Sequence, residues 1–248
     1  MKNIPTLKFR YLSLEEAADI ISFTLNDDNG LLSTQKWTLY LYPELKDITK
    51  EDNIKEIIQD GYNSFIKENN NLPKEYSIIW NKYNDKYMFT ISNYLNIDWP
   101  NNYKEILVRI GNIPICPRYI KEKMFDIHKK NEEELIDTCM HELCHFLFFE
   151  KCKEIFPNWK YEDFDSPSIL WYLSEIVVDP ILNSNDVQKV YKHQFKCYDI
   201  FYTITIDNKP LMETITNIYN SNSIEDAIIK SYNYLKEHEK EFIEKCMD

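Results

Sequence analysis

The sequence predicts an α+β fold whose strands gather before residue 112 and whose helices follow residue 131. Two features carry this reading. Runs rich in β-branched and aromatic residues, WTLYLY (37–42), YSIIW (76–80), YMFTIS (87–92) and KEILVRIG (104–111), all lie in the first half. From Leu135 to Phe149, by contrast, apolar side chains at helical spacing cover most of a helix surface, which marks a central, buried helix. The chain has 248 residues, 44% of them hydrophobic, enough for a sizeable core.

Taken in order, Ser13 and Glu16 form a capping-box pattern that opens a helix over 14–25, and Asn29-Gly30 marks the turn after it. WTLYLY reads as a strand. Thr49 and Asp52 repeat the capping signal ahead of Ile54, Ile57, Ile58, Tyr62, Phe65 and Ile66, so a helix is expected over 50–69. YSIIW and YMFTIS flank Asn84-Asp85 as a hairpin and KEILVRIG adds a third strand, which together predict a small, mostly antiparallel sheet. Asn131 and Glu134 cap the central helix. Ser166-Pro167 opens another through Leu170, Leu173, Ile176 and Val177 until Pro180 disturbs it, and helices near 186–203 and 224–246 complete the chain. The domain expectation is a core over 1–183 with a helical C-terminal subdomain over 184–248.

Composition narrows the function classes. A formal charge of −12 repels phosphate backbones and anionic lipid, so neither nucleic acid nor a membrane is an expected partner. Three glycines cannot build the Gly-rich loops that cradle nucleotide phosphates. No apolar run approaches the ~20 residues of a membrane span, and the N-terminus lacks an apolar signal segment. Six cysteines without a CxxC pair read as reduced thiols, and a cytoplasmic location follows.

The chemistry concentrates in the central helix as His141-Glu142-Leu143-Cys144-His145. Residues four apart share a helical face, so both imidazoles can meet one metal ion while Glu142 points beside them towards a water that the metal activates. Thirty residues after His145, on the next expected helix, stands Glu175-Ile-Val-Val-Asp179. HExxH followed by ExxxD resembles the gluzincins, the zincin group that includes the thermolysin-like and neprilysin-like peptidases, over residues 135–180. The resemblance implies Zn2+ held by His141, His145 and Glu175, with Asp179 holding His141. It implies a zincin-like architecture as well: an N-terminal lobe with the small sheet, a helical C-terminal lobe, and the active-site helix between them.

This sequence departs from that pattern in three places. Asp179 directly precedes Pro180, where α conformation is disfavoured. Cys144 replaces the Thr common in thermolysin-like motifs and reads as a small core residue. FLFFEK after His145 removes the third histidine of metzincins. The family's oxyanion-stabilising His or Tyr has no matching motif here, so His193 and Tyr172 are candidates by placement alone. Fold analogy makes the strand at 104–111 the sheet edge that receives substrate by strand addition. The expected function is a zinc metallopeptidase acting on a peptide or protein, with Glu142 as general base. Three alternatives stand beside it: a non-catalytic or latent zinc-binding module, the small cytosolic metallopeptidases that cut transcriptional repressors, and a folding or interaction protein with no metal.

Overall fold

Leu7 and Phe9 are buried and alternate with exposed Thr6 and Lys8, and this period of two makes the first strand, β1 (Thr6–Tyr11), which the expectations above omit. In the computed structural model, which describes residues 3–25, 34–47, 54–113 and 115–247, the fold is α+β. The chain divides into two units. A sheet unit comprises Thr6–Lys82 and Glu105–Leu135, and a helical unit comprises Met1–Pro5, Tyr83–Lys104 and Ile136–Asp248. Residues 136–183 and 184–248 therefore belong to one unit.

In the sheet unit β1 is followed by helices α1 (Leu14–Leu25), α2 (Thr34–Leu41), α3 (Ile54–Glu68) and α4 (Leu72–Asn81). The Ser13/Glu16 capping box forms as expected, Glu16 N donating to Ser13 Oγ at 3.1 Å and Ser13 N to a Glu16 carboxylate oxygen at 2.8 Å. The Asn29-Gly30 turn and the Thr49/Asp52 cap lie outside the described residues. Strands β2 (Glu105–Gly111), β3 (Arg118–Tyr119) and β4 (Met124–His128) complete a sheet in the order β1-β2-β4-β3. β1, β2 and β4 run parallel and only β3 is antiparallel, so the mostly antiparallel sheet is corrected to a mostly parallel one. β2 is an interior strand and not the expected edge. Its Ile106, Val108 and Ile110 are fully buried and Arg109 nearly so, the near-continuous burial of a central parallel strand.

Three expected strands are helices, for a common reason. In YSIIW the buried residues are Tyr76 and Trp80, four apart, while Ile78 between them is 57% exposed. In WTLYLY Thr38 and Tyr42 are buried and Tyr40 faces solvent. In YMFTIS Tyr87, Met88 and Ile91 are buried and Phe89 is exposed. The burial period is helical in each, and it prevails over β propensity.

The helical unit holds α5 (Asn84–Tyr94) and, after its first turn, α6 (Glu132–Ile155). The Asn131/Glu134 capping box opens α6 with two 3.0 Å bonds. α7 (Ile169–Leu182) starts from Ser168, whose Oγ accepts from Trp171 N at 3.0 Å, two residues later than expected, and it continues through Pro180. The expected helix at 186–203 is only two short turns, α8 (Asn185–Gln188) and α9 (Asp199–Thr203). A hairpin of β5 (Thr205–Ile206) and β6 (Lys209–Pro210) turns at Asp207 and Asn208, with φ of 51° and 59°. α10 (Leu211–Ser221) and α11 (Ile224–Glu237) pack on α7, and α12 (Glu239–Met247) ends the chain. Among the described residues no helix is long and apolar enough to cross a membrane.

Charge fixes the sheet unit. Arg10, Arg109 and Asp126 stand side by side across β1, β2 and β4. Arg109 grips Asp126 with bonds of 2.6 and 2.8 Å, and Glu16 from α1 bridges both arginines at 2.7 to 3.0 Å. Hydrogen bonding from Arg10, ahead of the opposing effect of burial, holds the Glu16 carboxyl down at about 2. Its stabilising contribution is complete above its ordinary value of 4.5 and is lost as the pH falls through about 2. Glu16→Gln is expected to cost on the order of 2 kcal/mol near neutral pH and to flatten the acid limb of stability, read from urea melts at about pH 7 and about pH 3. Equal melts for parent and variant at both values would remove Glu16 from this role.

Candidate metal centre

The middle of α6 and most of α7 are buried on nearly every face. Leu135, Ile136, Cys139, Met140, Leu143, Cys144, Phe146, Leu147, Phe148 and Phe149 of α6 are essentially inaccessible, and α7 is buried from Ile169 to Val178 except at Trp171. Besides buried Lys151 and Ser174, the polar side chains set into these buried stretches are His141, Glu142 and His145 on α6 and Glu175 on α7. His145 is fully buried, Glu142 and Glu175 are 7% and 3% exposed, and the His141 side chain retains 23% exposure. The group thus reaches solvent on its His141 side.

His141, His145 and Glu175 converge. His141 Nε2 lies 3.3 Å and His145 Nε2 3.4 Å from the same oxygen, Glu175 Oε2, and the three ligand atoms all fall within 4.8 Å of one another. Four ligands placed tetrahedrally around zinc at ~2.1 Å are about 3.4 Å apart, so these two separations match neighbouring corners of one coordination sphere. They exceed the 2.7–3.2 Å usual for N–H···O hydrogen bonds. The rings meet edge-on with centroids 4.7 Å apart, and His145 also stacks on Phe149 at 6.0 Å. The donor set suits zinc: two neutral imidazoles and one carboxylate oxygen leave a fourth position open. Among the described residues this is the one group of three or more His, Cys, Asp or Glu placed to hold a metal ion. All six cysteines are free thiols, and Cys144 is buried.

No protein-family model, curated protein or solved structure matches this chain.

Asp179, one turn beyond Glu175, accepts from Asn183 Nδ2 at 3.0 Å and from the Tyr202 hydroxyl. Among its partners in the described residues, the His141 contact implied by the resemblance does not appear. Tyr172 is 3% exposed and meets Trp171, Phe201 and Phe242 edge-on, so it packs the core, and burial raises its phenol. His193 stands 3.5 Å from Asp137, which precedes His141 by one turn on the same face of α6. Sequence reading missed Asp137, and its only signal is the four-residue step to His141. It missed Tyr202, Asn183 and Gln188 too, for which no motif exists.

A chain with these three ligands is expected to bind about one zinc ion per molecule and to melt higher with zinc than after chelation. Glu175→Ala should lose the ion while Asp179→Ala, which disturbs only the Tyr202 and Asn183 bonds, keeps it. Elemental analysis of both purified variants checks this, and equal zinc in the two would place the third ligand elsewhere.

Proposed function

We propose that this chain is a zinc-dependent metallopeptidase. The observation that carries the reading is the convergence of His141, His145 and Glu175 at the spacing of one tetrahedral ion, with Glu142 beside His141 on the same helix. Bound zinc supplies a Lewis acid that polarises the scissile carbonyl and makes water acidic enough to lose a proton near neutral pH. Glu142 would accept that proton as the water oxygen adds to the scissile carbonyl carbon, and would return it to the leaving amine as the C–N bond breaks. Burial of Glu142 within an apolar helix keeps bulk water from competing for the proton. His193, held beside Asp137, is the candidate donor to the developing oxyanion, and Tyr172 is not, because its ring is enclosed in the core. The substrate is a peptide or protein, since a net charge of −12 disfavours nucleic acid and anionic membrane. Free thiols at all six cysteines support a cytoplasmic location.

Glu142→Gln tests the mechanism. It preserves size and removes the group that takes the proton, so zinc content and melting temperature should match the parent while hydrolysis of a broad peptide library falls by 10²–10⁴-fold. Undiminished cleavage would end the assignment of Glu142. A parent that holds zinc and cleaves nothing in the library would instead favour a zinc-binding module without turnover.

A further inference from the structure

Between α8 and α9, residues 192–198 form no backbone ladder, yet they have the signature of a strand. Lys192, Gln194, Lys196 and Tyr198 are exposed, while His193 is half-buried and Phe195 and Cys197 are buried. Two side-chain amides stand where a neighbouring strand would be. Gln188 donates to His193 O at 2.6 Å and accepts from His193 N at 3.2 Å. Asn183 donates to Phe195 O at 2.9 Å and accepts from Phe195 N at 3.1 Å. In an extended chain, residues two apart present N–H and C=O to the same edge, and the residues between them present theirs to the other. The edge belonging to His193 and Phe195 is therefore filled. The backbone N–H and C=O groups of Lys192, Gln194 and Lys196 bond no described residue.

This open edge is anchored to both ligand helices. His193 meets Asp137, one turn before His141, and Asn183 lies two turns after Glu175. We propose that the 192–196 edge receives an extended peptide by strand addition and guides it to the metal centre. The occupant is an acidic peptide with carboxylates at alternate positions. Lys192 and Lys196 are exposed, flank the edge on one side, and form no ion pair with any described residue, in a chain whose net charge is −12. The local charge favours acidic partners even though the whole molecule is acidic. Delivery for cleavage rests on the peptidase reading, whereas strand addition is measurable as binding alone.

Fluorescence anisotropy on full-length, zinc-loaded Glu142→Gln protein tests the proposal with a labelled nine-residue peptide of alternating Glu and Val. This peptide should bind about tenfold or more tightly than one with Lys in place of Glu. N-methylation of every second amide in one phase should abolish binding, and in the other phase should spare it, because only alternate amides face the edge. Gln194→Pro, which deletes an edge donor, should weaken binding about tenfold, and Gln194→Ala should not. Equal affinity for the two methylation phases would overturn strand addition whatever the variants do, including a Gln194→Pro protein that fails to fold. Equal or tighter binding of the Lys peptide would overturn the acidic occupant. Phase-dependent binding by a parent that cleaves nothing would uphold the edge and refute the peptidase reading alone.

Discussion

Two imidazoles and two carboxylates lie in the most deeply buried stretches of α6 and α7, and much of the helical unit is arranged around that constraint. Polar groups moved out of water must recover the interactions they lose. Here the recovery is mutual: His141 and His145 approach one oxygen of Glu175, at separations that suit a shared cation better than a hydrogen bond. The surrounding aromatic packing, with Phe149 against His145, leaves little room for the imidazoles to turn away. A site of this kind is rigid because its helices are core elements, and it stays accessible because His141 alone keeps substantial exposure.

The capped helices α1 and α6 were legible because their signals are local and strong. The caps at Ser13 and Asn131 and the apolar run through Phe149 are each contained within a few turns, and each recurs in the structure. The sheet was not. Tyr76, Trp80, Tyr87 and Ile91 are residue types common in strands, yet within each segment the buried pair is four apart and they form α4 and α5. β1 was missed because TLKFRY is short and charged, and what makes it a strand is a parallel partner far along the chain. Of the site, His141 and His145 were readable from spacing, since a helix turns i and i+4 into neighbours, Glu142 from its place between them, and Glu175 only through the resemblance to the gluzincin pattern. The partners of Asp179 and His193 come from segments whose meeting is decided by tertiary packing, so Tyr202 and Asp137 left no trace in any motif.

Charge is used differently in the two units. In the sheet unit two arginines in adjacent strands would repel, and Glu16 and Asp126 turn that row into a clamp joining three strands and a helix. In the helical unit Lys151 is paired with Glu154 and Glu225, whereas Lys192 and Lys196 form no ion pair with any described residue. The first arrangement holds a fold together, and the second leaves attraction available for something outside it.

The amide pairing at residues 193 and 195 also bears on the order in which the molecule assembles. Gln188 and His193 are five residues apart and Asn183 and Phe195 twelve, so closing these loops costs little chain entropy. The β1–β2 register joins Lys8 to Leu107, roughly a hundred residues apart, a much larger closure. The segment beside the ligand helices can thus take shape as α7 and α8 form, on a timescale set by local search, while the parallel sheet waits on long-range encounter. A full-length chain refolding from the unfolded state would possess the receiving edge before the clamp of arginines and carboxylates has closed.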